Sequence, residues 1–308
     1  MKLIAVRRDD RFSPNSVEKD RLILEAACNN VCRQFEQQGV PCALRWVDEA
    51  ELTPADEADL YLSMARLPEA LQVLEGFEQQ GRRVVNSARG VMNCQRSVLE
   101  KLMREHHVSA PQPCDEGGSP CWLKRGDAAA QSKADVVFCQ DADALQKALA
   151  DFKARGISDY VVSRHVEGDV VKFYGVSNLH STEEPGSDPL PFREGLGIGF
   201  FRYFYPTDDG LTKFGDETQH NGPSHHYAFD AQALQSEVER LARLVGIEVY
   251  GGDAIIDSEG RFYIIDFNDW PSFSRCRDEA AEAIANCPLK EGDGGLEIHH
   301  DSQHNLKI

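Results

Sequence analysis

No stretch of this 308-residue chain is apolar for long enough to cross a bilayer. The opening MKLIAVRRDD offers only Leu3–Val6 before charge intervenes, too short for a secretory signal core. A cytoplasmic location without membrane contact is therefore expected. Positive charge is also scarce. Lys and Arg number 33 against 51 Asp and Glu, and a net charge of −18 argues against broad nucleic-acid binding. The first 88 residues contain no G-x-G-x-x-G, so no dinucleotide site is indicated there. The nine cysteines form no C-x-x-C pair. Cys28 and Cys32 lie four apart on a predicted helix, where two small buried residues are a simpler reading than a metal site. Free thiols are expected throughout.

What is present is ordinary for a globular protein: 41% hydrophobic and 27% charged residues. The length suits two or three α/β lobes. Residues 1–88 read as alternating strand and helix, a small βαβ lobe with a parallel sheet. Its strands are Leu3–Val6, Cys42–Val47, Leu60–Met64 and Arg83–Asn86, and its helices Val17–Gln38 and Pro68–Gln80. Ser87 is placed to cap a helix over Val91–His107. Two further regions follow, 89–160 and 161–288, with a polar, glycine-rich tail from Leu289 that is expected to be disordered. Helices are predicted over Ala142–Arg155, Ala231–Val245 and Arg275–Ala285. The helix from Ala231 is strongly amphipathic and reads as packing.

The stretch GGDAIIDSEGRFYIIDFNDWPSF carries the most chemical information. Ala254–Ile256 is an apolar run, Asp257–Gly260 is turn chemistry, and Arg261–Phe267 is rich in aromatic and β-branched residues. A four-residue loop would place Ile256 opposite Arg261 and Asp253 opposite Ile264. Opposed residues and residues two apart share a sheet face, so Asp253, Asp266 and Asn268 converge. Two carboxylates and an amide oxygen are hard ligands suited to Mg²⁺, with phosphates completing the octahedron.

This hairpin is similar to the metal-binding signature of the ATP-grasp superfamily, in which an acid on one strand and an acid-x-Asn on the next hold Mg²⁺ against ATP. Pro271, a few residues after Asn268, fits the same pattern. The resemblance spans roughly residues 84–285. It implies an ATP-grasp fold of mixed α/β and α+β character, with an N-terminal βαβ lobe followed by two α+β lobes sandwiching ATP. Glutathione synthetase-like and RimK-like ligases are the nearest branches. Asp266, where those ligases usually carry Glu, looks more like the inositol-polyphosphate kinases.

The resemblance also implies roles for other residues. Lys124, at the end of the strand Trp122–Lys124, would contact the ATP phosphates, and Ala128–Lys133 would form the lid over them. Arg96 stands where a phosphate-side Lys is commoner, and Lys172 matches a basic residue facing the phosphates in kinase-like members. Arg164, His165 and Val166 would line the adenine pocket, with Glu167 or Asp169 accepting from the ribose. Arg193, Arg202 and Arg275 are candidates to grip an anionic acceptor by bidentate pairing. His220, His225 and His226 lie where an acceptor would sit, without the spacing of a zinc site. The implied cofactors are ATP and Mg²⁺, with Mn²⁺ as a substitute. The implied reaction is carboxylate–amine or carboxylate–thiol ligation through an acyl phosphate on a small molecule or peptide. A small-molecule kinase and a nucleotide-binding protein without catalysis are the alternatives. A homodimer is compatible with the sequence and not demanded by it.

Overall fold

The computed structural model describes residues 1–13, 16–114, 120–127, 132–177, 200–206 and 220–287. Arg193, the tail from Leu289 and residues 128–131 of the expected lid Ala128–Lys133 lie outside these residues.

The first sheet is parallel, with order β2-β1-β3-β4, from β1 (Lys2–Arg7), β2 (Ala43–Asp48), β3 (Leu60–Ser63) and β4 (Arg83–Val85). The apolar run in β1 is explained by helices on both faces. Leu3 and Ala5 pack with α1 (Val17–Gln37), while Ile4 and Val6 pack with α2 (Pro68–Gln79). In α1 the buried residues Ile23, Leu24, Ala27, Cys28, Val31 and Phe35 recur at helical spacing, and Gly39 at φ 78° lets the chain turn away.

One expectation fails here. Cys32 is not a free thiol but is joined to Cys42 in a disulfide. The turn after α1 brings the start of β2 back beside the helix, leaving the two Cα atoms 5.2 Å apart, within disulfide range. The other seven cysteines are free, and Cys28 is buried as expected.

The helix expected over Val91–His107 is broken in two, α3 (Ala88–Asn93) and α4 (Arg96–Glu105). Ser87 does cap, accepting from the Gly90 amide at 3.0 Å. The amides of Cys94 and Gln95 then bond three residues back, to Val91 and Met92, which tightens and closes the first helix. Arg96 therefore stands in the first turn of a new helix rather than midway along an old one.

A second, antiparallel sheet of order β6-β5-β7 contains β5 (Cys121–Arg125), β6 (Val136–Cys139) and β7 (Tyr160–Arg164). One face packs Cys121, Leu123 and Cys139 against Phe152 of α5 (Ala142–Ala154). The alternate residues Trp122 and Lys124 point to the opposite face. The third sheet, β11-β10-β8-β9, is also antiparallel, from β8 (Asp169–Val176), β9 (Phe200–Phe204), β10 (Val249–Ile256) and β11 (Phe262–Asp269). Beneath it lies α6 (Ala231–Val245), capped by Asp230 and ended by Gly246 at φ 87°. The final helix, α7 (Arg277–Asn286), begins two residues later than expected and packs on α1, so the first and last helices share one core.

Two polar contacts fasten the first sheet to the third. Asn86 uses its whole amide on β10 and the residue before it. Its Oδ1 accepts from Glu248 and Val249 at 2.9 and 2.7 Å, and its Nδ2 donates to the Val249 carbonyl at 2.7 Å. Asp269, 2% exposed at the end of β11, lies between two arginines of the N-terminal lobe. Its Oδ1 accepts from Arg66 Nη2 at 2.6 Å, and its Oδ2 accepts from Arg8 Nη2 at 2.9 Å. Burial pushes the Asp269 carboxyl up, but Arg66 and Arg8 outweigh it and hold its pKa below the usual carboxylate range. A carboxyl whose folded pKa is depressed stabilises the fold above its unfolded value, about 3.9, and loses that contribution as pH falls through the folded value. Asp269→Asn should cost about 3–5 kcal/mol at neutral pH by leaving the buried Arg66 guanidinium without its counter-charge and Arg8 with Asp20 alone. It should also flatten the acid limb of the stability profile. Urea midpoints measured between neutral pH and about pH 3 give both quantities.

Candidate active site

The second and third sheets face each other across a cleft, and the hairpin β10–β11 supplies its acidic wall. The loop between these strands has five residues, not four: the Asp257 amide bonds to the Arg261 carbonyl, and Ile256 opposes Phe262. Farther along, the register shifts once more between Asp253 and Ala254, leaving Ile265 as the extra residue of a β-bulge. The expected pairing of Asp253 with Ile264 is thus wrong by two residues. Asp253 directly opposes Asp266, and Asn268 opposes Gly251. Two one-residue slips preserve the side-chain parity, which is why the acids still converge.

Each acid is met by a cation from a different element. Lys172 opposes Asp253 on the neighbouring β8, and its Nζ lies 2.5 Å from Asp253 Oδ1. Burial disfavours the Lys172 ammonium, yet Asp253 beside it more than compensates and raises its pKa. Arg96 Nη2 lies 3.6 Å from Asp266 Oδ1, and its Nη1 donates to the Arg125 carbonyl at 2.8 Å. Lys124, 6% exposed, reaches across the cleft to donate to the Ile265 carbonyl at 3.2 Å. Burial would raise the Asp266 carboxyl, but Arg96 and then Lys124 outweigh it and keep its pKa low. Asn268 Nδ2 donates to Asp266 Oδ2 at 2.7 Å. That orientation turns the amide oxygen away from the hydrogen bond and leaves it as a donor atom for a cation. The set fits Mg²⁺ in chemistry: two carboxylates and one amide oxygen, with no soft ligand among them.

Of these groups Arg96, Lys124, Asp266 and Asn268 border a cavity of about 430 Å³, within the range of small-molecule pockets, whereas Asp253 and Lys172 do not line it. Its charged end holds Arg66, Arg96, Lys124, Asp266 and Asn268, and its apolar end Leu99, Met103, Val161 and Ile265. The structure thus brings together Arg96, Lys124, Lys172, Asp253, Asp266 and Asn268. Arg66 is an addition that the sequence did not signal, because it lies in the loop between β3 and α2 and reaches this wall only through the tertiary fold.

The remaining expected residues are distributed differently. Arg164 ends β7 and His165 and Val166 follow it, and none of the three expected hinge residues borders the cavity. Arg164 is exposed, while His165 accepts at Nδ1 from Trp122 Nε1 at 3.1 Å. Glu167 is exposed. Asp169 is buried, and its two oxygens accept from the amides of His225 and Tyr227 at 2.6 and 2.8 Å, so it holds that segment in place. The three histidines do not cluster. His220 stacks on Phe138 at 3.7 Å between centroids, His225 lies beside Asp169, and His226 packs on Tyr205. Among the described residues no group of three or more His, Cys, Asp or Glu could hold a metal. Arg202 pairs with Glu279 at 2.7 Å, and Arg275 donates to the Tyr205 carbonyl while covering Phe204.

No family model matches the chain, and a search of curated proteins finds no match. Solved structures do match over nearly its whole length. A RimK domain ATP-grasp protein from Sphaerobacter thermophilus is 18% identical with a TM-score of 0.57, covering 93% of this chain and 99% of its own. The chain has the ATP-grasp fold. D-alanine–D-alanine ligase from Bacillus anthracis, solved in complex with ATP, is 10% identical at a TM-score of 0.58, with coverage of 93% and 96%. D-alanyl-alanine synthetase A from Vibrio cholerae is 12% identical at 0.59, with coverage of 93% and 97%. Identities this low establish the ATP-grasp architecture and leave chemistry to the site itself. No helix among the described residues is long and apolar enough to cross a membrane.

His165 gives this region a pH signature. Burial lowers its pKa, against a smaller opposing effect of Glu167 and with a further lowering by His220. A histidine whose folded pKa is depressed adds stability above its unfolded value, about 6.5, and loses it as pH falls. Protonation at Nδ1 would also end its acceptance from Trp122. An NMR titration should place the His165 midpoint below 6.5, with the Trp122 indole proton shifting in step.

Proposed function

We propose that this chain is a Mg-ATP-dependent ligase joining a carboxylic acid to an amine or thiol through an acyl phosphate. The observation that carries this reading is one cleft in which Asp253, Asp266 and Asn268 meet Arg96, Lys124 and Lys172. Oxygen ligands opposite cations form a cradle for a polyphosphate and its metal. The printed names of two structural neighbours, a D-alanine–D-alanine ligase and a D-alanyl-alanine synthetase, support the ligase class for the same fold.

The work of the chain's own residues would be positioning and charge neutralisation, the dominant contributions in phosphoryl transfer. Asp253, Asp266 and Asn268 would hold Mg²⁺, which neutralises charge on the β- and γ-phosphates when bound. Lys124 and Arg96 would release their present partners and turn to phosphate oxygens. Lys172 would balance Asp253 until the nucleotide arrives. The apolar end of the cavity would take the base, next to backbone groups of the strand ending at Arg164. A cytoplasmic enzyme acting on a small molecule or peptide fits this cleft.

A kinase remains a second reading on one observation, the short acid Asp266 in the Asp-x-Asn pair. Mg²⁺-dependent ADP release separates the two. Release only when an acid and an amine are supplied together identifies a ligase, whereas release with a single hydroxyl compound identifies a kinase. Asp266→Asn should lower turnover by about 10³-fold or more, since it removes one of two metal carboxylates, and should leave the melting curve nearly unchanged. Wild-type activity in that variant would refute the metal assignment. ATP should bind at least about tenfold tighter than GTP, the value of one specific hydrogen bond to the base. Equal affinities would remove the adenine site.

A further inference from the structure

The N-terminal lobe contributes one charged side chain to the cavity wall that the proposed chemistry has not yet used. Arg66, in the segment after β3, lines the same cavity as Asp266 and Asn268. Its position is fixed at both ends. The Arg66 amide donates to Glu49 Oε2 at 2.6 Å, and its Nε and Nη2 donate to Asp269 Oδ1 at 3.0 and 2.6 Å. Asp269 is braced in turn by Arg8 at 2.9 Å and follows Asn268 directly in the chain. The guanidinium is 13% exposed, and its Nη1 makes no hydrogen bond among the described residues.

An arginine needed only to bind Asp269 could do so from deep inside the interface, as Arg8 does at 5% exposure. Arg66 instead lines the cavity, and with its Nη2 donating to the Asp269 carbonyl as well, at 3.4 Å, its Nη1 is the nitrogen left for a ligand. A donor held in advance by a buried carboxylate loses little entropy on binding an anion, and the hydrogen bond it gives a carboxylate is charge-assisted.

Resting on the ligase reading above, we propose that Arg66 is the anchor for the carboxylate of the acid substrate. It would hold that carboxylate at the N-terminal side of the metal acids, so that one carboxylate oxygen faces the γ-phosphate. The class of acceptor this selects is a small acid presenting its carboxylate end-on, since Asp269 already occupies the other side of the guanidinium. Because Asp269 directly follows Asn268, the same side chain links acid binding to the strand that carries the metal ligands.

The test uses the full-length protein with Mn²⁺–ADP and difluoroacetate as a carboxylate probe observed by ¹⁹F NMR. In the wild type, a carboxylate held beside the metal acids should show paramagnetic relaxation above that of Mn²⁺–ADP without protein. In Arg66→Gln the enhancement should fall about tenfold or more, the loss expected for a charge-assisted hydrogen bond, while Mg²⁺–ADP affinity measured by calorimetry stays within about threefold. Arg66→Lys keeps the charge without the rigid planar donor and should retain an intermediate effect. It also decides the matter if the Gln variant does not fold. Equal relaxation in Arg66→Gln and wild type, or none in the wild type with ADP bound, overturns the proposal. So does a parallel loss of ADP affinity, which would assign Arg66 to the nucleotide. Failure of the wild type to bind metal–ADP at all would instead remove the ligase reading, and this proposal with it.

Discussion

The carboxylate of Asp269 is the buried charge that ties the N-terminal lobe to the end of the strand carrying Asp266 and Asn268. Removing a charge from water into a protein interior is costly unless partners replace its hydration. Here both oxygens are taken by guanidiniums; Asp20 also holds the Arg8 guanidinium, and Glu49 accepts from the backbone amide of Arg66. The cluster is polar at its centre and surrounded by an apolar core in which Trp270 and Phe273 pack with Leu3 and Ile23. Trp270 and Phe273 sit at φ 38° and 45°, conformations that a non-glycine residue adopts only when its surroundings enforce them. The burial of both rings supplies that enforcement, so β11 ends abruptly and Asn268 stays at the rim of the cleft.

The cleft is assembled by small departures from regular structure. The extra residue at Ile265 sets Asp266 against Asp253 across the hairpin. The break between α3 and α4 places Arg96 where a continuous helix would have carried another side chain. Asn86, with every amide hydrogen-bonding group used on β10, fixes the strand from the opposite end. Each feature is local, and together they bring four separated segments to within contact of one cavity.

Much of this was legible in the residues. Alternating apolar runs gave the parallel sheet, and the period-two pattern of the hairpin placed Asp253, Asp266 and Asn268 on one side even though the pairing was miscounted. Parity is robust to an even slip, whereas register depends on turn length and bulges, which a sequence encodes weakly. The helix break at Cys94 and Gln95 was not legible, because neither residue disfavours a helix strongly. Nor was the Cys32–Cys42 disulfide, which depends on how the turn after α1 closes. The clamp on Asp269 was the least accessible: its partners lie 203 and 261 residues away, and no periodicity connects them. Asp169 shows the converse, an acid in a plausible recognition position that the fold uses on its own backbone.

The ion pairs lining the cleft have a further consequence, for the order in which ligands can enter. Three cations, Arg96, Lys124 and Lys172, face two carboxylates, so the immediate constellation carries an excess of positive charge although the whole chain is strongly acidic. A bare divalent cation approaching Asp253 and Asp266 would have to displace ammonium and guanidinium groups with nothing to receive them. A polyphosphate offers those same groups new partners and frees the acids in the same step. Nucleotide and metal would therefore enter together or phosphate first, and free Mg²⁺ alone would find the site closed to it by its own counter-ions.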